Sequence, residues 1–499
     1  MRYLLFIVIT LLTIIPVHAQ ERTWVYLSNI NTDTYHEFSP TVSPDGSFLI
    51  FHSTRPNGMG DTDLYISYNK NGTWSTPVNM QFLNSPYHDQ QPFLTYDGRA
   101  LYFSSDRDGT LGVGDIYVSY YDGERWTAPK NCGAGINSTA SEWSPSISLD
   151  GKTMYFVRVP IDWSTRRVDS SQMHICRAHL ENNTWGNVEI LDAPVNIGAR
   201  DTAPRIMPDG KTLFFASARD GGYGSWDLWR VTTHDNGKTW SGLTNLGAHI
   251  NSAASEAFFS FNTGGNLLFL TRQSIDRPSY DIWYYGFSNT ISDPTVTVTG
   301  IVTNTQNGKP LESRITIEEL GAQELYSTKS AKKTGKYSIV LPKGKKYGIT
   351  VEKDGFMFND EHLNLVHLTN SAAVIKNIGL QPLTSGESVI INNIFFDPDK
   401  ATLRTTSKKS LNRIVAILKN NPSIHLYIKG HTAKAPGSID PIKLSTDRAD
   451  SVKQYLVKHG ISENRLKTVG VGNAEPIADN ATEAGRKKNR RTEFIILSN

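Results

Sequence analysis

The chain of 499 residues is too long for one hydrophobic core and should divide into about three domains. With 20% charged and 38% hydrophobic residues it is excluded from the disordered class. A formal net charge of +3 gives no electrostatic case for a nucleic acid or an anionic membrane surface as partner. The 10 Trp and 21 Tyr favour β-structure.

Met1-Arg2, an apolar run from Leu4 to Ile15 and small residues at Pro16-Val17-His18-Ala19 form a secretory signal peptide over residues 1–19, cleaved after Ala19. The run is short for a bilayer span, no cysteine follows it for lipid attachment, and no later segment is apolar enough to cross a membrane. The mature protein is expected to be soluble in an envelope compartment and without a transmembrane segment. Cys132 and Cys176 fall in neighbouring repeats, so a disulfide and two separate thiols both remain open.

From residue 20 to 290 the sequence repeats about every 52–59 residues. Each copy carries a turn (Pro44-Asp45-Gly46, Tyr96-Asp97-Gly98, Leu149-Asp150-Gly151, Pro208-Asp209-Gly210, Thr263-Gly264-Gly265), and Asp-Gly between apolar runs signals a hairpin. A strand follows each turn, and in four copies a further strand follows an aspartate (Asp63, Asp115, Asp227, Asp281). The third copy instead has an insertion from Val159 to Gln172, with Trp163, Arg166 and Arg167, and then His174 in the place of the third-strand aromatic. That insertion reads as a partner contact or as a tolerated loop. The last copy lacks its tryptophan strand, and Trp24 to Asn31 reads like Trp240 to Asn251, so the N-terminal strand should complete the last unit and close a ring. These copies resemble the WD40-like repeats of TolB-type β-propellers, which implies five blades, with six as the alternative.

Glu37, Asp89, Glu142, Asp201 and Glu256 recur about three residues before the Pro or Phe that opens each copy. They read either as a mouth of carboxylates that binds a basic partner or cation, or as acids paired internally with the recurring Arg55, Arg107, Arg219 and Arg272.

Alternating strands from Thr295 onward, with a turn at Asn307-Gly308, resemble a carboxypeptidase regulatory-like (transthyretin-type) β-sandwich over 293–382. A spacer or protein-binding role is implied. Residues 387–499 then predict a βαβαβαβ order with helices on one face of a mixed sheet. Leu411, Ile414, Val415 and Leu418 place an amphipathic helix over Lys408–Asn420, and Ser445 is expected to cap a second helix that ends near His459.

Gly430-His431-Thr432, Leu444-Ser445-Thr446-Asp447-Arg448-Ala449, Gly470-Val471-Gly472 and Asn489-Arg490-Arg491 occur in the order seen in the OmpA/Pal-like C-terminal domain, which this region resembles. The resemblance implies a groove for the diaminopimelate end of a peptidoglycan stem peptide. Arg448 matches the arginine for the ligand carboxylate, a job that suits a planar guanidinium. Asp399, Thr432, Asn489 and Arg491 match the other groove positions. A structural role for Asn489 and Arg491, holding the last helix to the sheet, is the competing reading. Ala433 stands where the family has the aspartate for the ligand ammonium, Ala435-Pro436-Gly437 replaces a glycine turn, and Asp440 or Asp447 are the possible substitutes.

The expected function is a non-enzymatic periplasmic scaffold, associated with peptidoglycan and the outer membrane. It would be anchored by the last domain and would hold an envelope or outer-membrane protein complex on the propeller. This domain order resembles peptidoglycan-associated envelope proteins of type IX secretion in Bacteroidetes-type bacteria. A glycan-binding or glycosidase propeller with a degenerate last domain is the alternative. No Gly-x-Ser-x-Gly element is present, and no His/Cys cluster has metal-ligand spacing, so neither a cofactor nor a metal is expected.

Overall fold

The computed structural model describes residues 24–162, 164–165, 167–198, 200–273, 279–320, 324–368, 374–386, 388–391, 394–433 and 440–498. The expected signal peptide over residues 1–19, Trp163, Arg166, Glu387 and Ala435-Pro436-Gly437 lie outside the described residues. The chain is mostly β-sheet with a few helices. It forms two compact units, one of residues 1–299, 338–344 and 366–375, the other of 300–337, 345–365 and 376–499.

The first unit contains a series of antiparallel sheets whose strands follow one another in sequence. Their leading strands are Glu37–Val42, Asp89–Leu94, Ser141–Ile147, Thr202–Ile206 and Glu256–Phe261. The last of these sheets takes its outer strand from the N-terminal end of the described residues, where Val25 pairs with Tyr284 and Tyr26 with Trp283. Apolar cores fill the spaces between consecutive sheets. Ile50 and Leu64 pack with Leu101 and Phe103, Tyr102 and Ile116 with Met154 and Phe156, Val157 and Ile175 with Leu213 and Phe215, and Phe214 and Leu228 with Phe259 and Leu268. A fifth core joins Phe269 and Ile282 of the last sheet to Leu49, Phe51 and Tyr65 of the first, so the series closes on itself. The inner strands, such as Ala100–Ser105 and Thr212–Ser217, therefore bury both faces, which explains their near-continuous apolar runs, whereas outer strands such as Ser241–Asn245 are exposed.

The third sheet corrects one reading. His174 lies opposite Arg158, at the register position where Asp63 faces Ser53 and Asp115 faces Ser105. It thus replaces the third-strand aspartate, and buried Cys176 takes the aromatic position. Cys132 and Cys176 are both free, and burial pushes their thiols up to about 12 and about 11.

In the second unit, Glu324–Lys329, Arg314–Glu319, Lys346–Glu352 and Asn359–Asn364 form one antiparallel sheet. A mixed sheet follows in the order Ser388–Ile391, Thr492–Ser498, His425–Gly430, Leu466–Gly470, only the last pair being parallel. Helix α1 (Lys408–Asn420) buries Leu411, Ile414, Val415 and Leu418 against it. Helix α2 (Pro441–Lys458) buries Ala449, Val452 and Leu456. It starts four residues before Ser445, because Asp440 accepts hydrogen bonds from the Ile442 and Lys443 amides and Pro441 suits the first helical turn. Helix α3 (Glu483–Asn489) precedes the last strand.

The core of this mixed sheet includes Met357, Phe358 and Leu383 from the preceding sheet region. Buried Asp360 accepts bonds from Thr350 at 2.7 Å, Ser410 at 2.9 Å and Arg413 at 3.2 Å, fastening α1 to the Asn359–Asn364 strand. The two sheets of this unit thus share packing and a buried polar junction.

Candidate functional site

Two sets of charged residues stand out in the sequence, and their geometries differ. Glu37, Asp89, Glu142, Asp201 and Glu256 sit at the start of the leading strands and have no exposed surface. Each meets one arginine from the end of the second strand of its own sheet, not of a neighbouring one. Arg55 lies 3.1 Å from Glu37, Arg158 2.8 Å from Glu142, Arg219 2.7 Å from Asp201 and Arg272 3.5 Å from Glu256, and Arg107 pairs with Asp89. Arg158 is the member the sequence reading missed; like Arg272 it lies directly opposite its acid, two positions earlier than Arg55 and Arg107.

The remaining acceptor positions are also used. Asp89 binds the Ser85 amide and hydroxyl, Glu142 those of Ser138, and Glu256 those of Ser252. Burial raises the carboxyls of Glu37, Glu142 and Glu256, while hydrogen bonds and the facing arginine oppose it. Four of the arginines also donate to the connection entering their sheet, at the Ile30, Leu83, Ile136 and Val195 carbonyls. These acids therefore serve to lock each sheet to the strand that leads into it. To bind a partner they would first have to give up a buried ion pair.

A second recurring lock escaped the sequence reading. Asn31, Asn84, Asn137, Asn196 and Asn251 each use the side-chain amide to bond both the NH and the CO of one third-strand residue in the preceding sheet: Ile282, Leu64, Ile116, Ile175 and Leu228. The signal is present as an apolar-Asn pair shortly before every acid. On the ring axis, Arg205 is buried and donates to the carbonyls of Phe259 at 2.8 Å, Pro145 at 3.0 Å and Pro92 at 3.4 Å, linking four sheets. Burial lowers it to about 10.

The motif residues of the second unit split into two groups. Gly430 and Gly470 let α2 approach the sheet. An added Cβ would lie 2.2 Å from the Ser445 carbonyl oxygen and 2.2 Å from the Thr446 nitrogen, respectively. This contact fixes the start of α2 beside the strand end that carries Thr432. The Thr432 amide bonds the Gly472 carbonyl, and its buried hydroxyl has no hydrogen-bond partner among the described residues.

Arg448, one turn after Ser445, projects to the Phe396–Lys400 turn. Its Nε donates to the Lys400 carbonyl at 3.0 Å, and its guanidinium stacks on Phe396 with 5.1 Å to the ring centre. Asp399 sits in this turn with φ 53°, a conformation that aspartate tolerates better than most residues. Burial lowers the Arg448 guanidinium, the Asp399 carboxylate opposes that shift, and Arg490 adds to it. Among the described residues, neither terminal nitrogen of Arg448 takes part in a hydrogen bond or ion pair. Asp399, Thr432 and Arg448 thus hold polar groups in reserve around the start of α2.

Asn489 and Arg491 are committed elsewhere. The Asn489 oxygen accepts from the Ile477 and Ala478 amides at 2.8 and 3.0 Å, and its NH2 donates to Ala478 and Asn480. Arg491 pairs with Glu493 at 2.6 Å and donates to the Glu475 carbonyl. Both hold the Glu475–Asn480 loop to the sheet, in keeping with the structural reading. His431, beside them, lies 3.3 Å from Glu493, and burial followed by Arg491 lowers its pKa. Of the proposed substitutes for the acid missing at Ala433, Asp440 caps α2 and Asp447 lies 3.3 Å from Lys443.

Among the described residues no helix is long and apolar enough to cross a membrane, and no group of three or more His, Cys, Asp or Glu is placed to hold a metal. Residues 395–490 match the OmpA family model. The probable lipoprotein YiaD of Escherichia coli is 34% identical over 125 residues, which cover 24% of this chain and 57% of that protein. The peptidoglycan-binding protein ArfA of Mycobacterium tuberculosis is 40% identical over 103 residues, 21% of this chain and 32% of that one. Among solved structures, the peptidoglycan-associated lipoprotein from Burkholderia pseudomallei is 26% identical and covers 21% of this chain and 87% of its own, with a TM-score of 0.20. The chain spans between about a third and three fifths of the length of the first curated relatives it matches. The second unit therefore carries an OmpA-family C-terminal domain.

Proposed function

We propose that this chain is a periplasmic scaffold whose OmpA-family domain grips peptidoglycan, with Arg448 holding a carboxylate of the diaminopimelate-containing stem peptide. The observation that carries this reading is the half-buried guanidinium of Arg448, the member of the motif arginines with both terminal nitrogens unengaged among the described residues. Asp399 and the Thr432 hydroxyl would complete the contacts, and the name of the relative ArfA is consistent with them. The closed series of sheets is read as a five-bladed WD40-like propeller over 20–290, holding an envelope or outer-membrane protein complex of the kind the type IX secretion resemblance implies. The region 293–382 is read as the regulatory-like sandwich and 387–499 as the wall-binding domain. Shared core and the Asp360 junction argue that sandwich and anchor act as one body.

The test is co-sedimentation of the mature full-length chain with purified peptidoglycan. Wild type should pellet, and Arg448→Ala should weaken pelleting by at least roughly tenfold, the loss expected when a buried charge loses its partner. Ala433→Asp should strengthen it by supplying the missing acid. Equal pelleting of wild type and Arg448→Ala would sink the assignment. Pelleting of Ala433→Asp alone would favour the second reading, a decayed wall site, which rests on the alanine itself.

A further inference from the structure

The loops that join second to third strands share one end of the sheets with the connections between sheets, while the Asp-Gly turns occupy the other end. Bridges from Thr62 to His88, Gly114 to Ser141 and Trp226 to Ser255 tie each such loop to the next connection. Three of these loops are built alike. Met59, Leu111 and Tyr223 each precede the third-strand aspartate by four residues, and their amides donate to Asp63 at 2.7 Å, Asp115 at 2.9 Å and Asp227 at 2.7 Å. The glycine that follows each is pressed against the neighbouring connection. A Cβ on Gly60, Gly112 or Gly224 would come within 1.7, 1.7 or 2.1 Å of the Tyr87, Ala140 or Ala254 carbonyl oxygen.

Backbone bonds on one side and close packing on the other thus fix the loop. The apolar side chain between them is left outside, 47% exposed at Met59, 49% at Leu111 and 52% at Tyr223. Only the amide of that residue is used by the fold, so a polar side chain would serve the turn equally well. Tyr87, Val113 and Ile197 add exposed apolar surface on the same face. Recurrence at one loop position on one face distinguishes these residues from singly scattered exposed apolar side chains.

The charge of the face narrows the partner. Among its described residues are Asp61, Asp106, Asp108, Asp162, Asp169 and Asp220 and no lysine; exposed Arg167, opposite Asp162 in the insertion hairpin, offsets one of these charges. Arg55, Arg107 and Arg219 are consumed by the acid ring, and Arg200 stacks on Trp226 at 4.9 Å. An apolar crown in an acidic field complements a basic surface with aliphatic or aromatic anchors. We propose that this face docks a lysine- or arginine-rich protein segment that packs apolar side chains against Met59, Leu111 and Tyr223. This rests on the reading of the ring as the partner-holding module and names its working face and the partner's chemistry.

The test uses the full-length chain with a photoreactive phenylalanine analogue at position 111, or at Lys152 in an Asp-Gly turn on the opposite face. Cross-linked segments from envelope-bearing cells are then sequenced. Position 111 should yield a segment of net positive charge. The yield should fall by at least about tenfold in the Met59→Ser/Tyr223→Ser background, which removes the apolar contacts and leaves the charge of the face unchanged. An acidic segment at position 111 would overturn the proposed chemistry. Adducts from Lys152 alone would overturn the face and leave the ring as a partner-holding module, whereas no adduct at either position would sink both. A fluorescence-anisotropy titration of the same chain with a Lys/Leu and a Glu/Leu synthetic peptide gives an independent readout. Roughly tenfold preference for the Lys/Leu peptide, lost in the double variant, is expected; equal binding would overturn the proposal. Unchanged thermal unfolding of the double variant separates loss of binding from loss of fold, and a variant that fails to fold leaves the wild-type peptide comparison to decide.

Discussion

The acid ring of the first unit and the Arg448 region of the OmpA-family domain share one pattern in sequence: charged residues at positions where a binding site is expected. In three dimensions they are opposites. Every ring carboxylate has an arginine, a hydroxyl or an amide committed to it, and nothing of it reaches solvent. Arg448 is half-buried yet keeps both terminal nitrogens unengaged among the described residues. A buried charge with all its partners in the chain is an element of structure, whereas one held in place with hydrogen-bonding capacity to spare is a candidate for recognition.

The comparison breaks most visibly if a ring pair proves dispensable. The Arg219 side chain is 3% exposed, pairs with Asp201 and donates to the Pro194 and Val195 carbonyls. Arg219→Ala leaves a buried carboxylate and two acceptors unpaired, so it should cost about 3–5 kcal/mol. Urea unfolding followed by tryptophan fluorescence measures this, and a change near zero would mean the ring acids are not structural. Within the OmpA-family domain the same logic separates two arginines. Arg491→Ala leaves Glu493 with only His431 to pair with among the described residues and should destabilise by about 2–3 kcal/mol. Arg448→Ala gives up one hydrogen bond to Lys400 and the Phe396 contact, so it should destabilise by only about 1 kcal/mol while weakening wall binding at least roughly tenfold. Similar midpoint shifts for both would erase the contrast.

A third prediction concerns pH. His52 is buried, accepts the Gln91 amide at 3.1 Å on Nδ1 and stacks on Phe38, and burial lowers it to about 3, with His88 adding to the shift. The unfolded chain therefore takes up this proton first. The ring has its full stability above about pH 6.5 and loses it as pH falls toward about 3. At pH 5 the loss is about 2 kcal/mol from this group. Glu37, Glu142 and Glu256, with carboxyls raised by burial, act in the opposite direction, so the informative quantity is the difference between wild type and His52→Gln. Wild type should lose more stability than the variant between pH 7 and pH 5; parallel curves would refute the assignment.

Much of this is legible in the amino-acid order. The repeat period exposes the unit boundaries because each sheet must bury both faces, and Trp24–Asn31 betrays its kinship with Trp240–Asn251, which the Val25–Tyr284 pairing reflects. The i, i+3, i+4, i+7 spacing locates α1 to the residue. The start of α2 is misplaced by sequence because Ser445 resembles a cap, while Asp440, ahead of a proline, offers the better one. The asparagine clamps escape notice because an amide that bonds backbone leaves no hydrophobic rhythm. The use of Asn489 and Arg491 cannot be read from a motif at all, since a motif gives residue types and not the direction in which their hydrogen bonds run.

The smallest expected effect tests whether anything replaces the acid missing at Ala433. Asp440 spends one carboxylate oxygen on the Ile442 and Lys443 amides at 2.9 and 3.3 Å, in an exposed position at the head of α2. A cap of this kind contributes about 1 kcal/mol, and Asp440→Asn, which keeps the oxygen, should cost only a few tenths. If Asp440 is a cap and nothing more, Asp440→Ala lowers the unfolding midpoint slightly, Asp440→Asn hardly at all, and both pellet with peptidoglycan as wild type does. If its charge instead supplies the ammonium contact, Asp440→Asn keeps the midpoint but loses pelleting. That outcome would move Asp440 from the committed to the available class, and the groove would contain both the cation and the anion that a zwitterionic stem peptide requires.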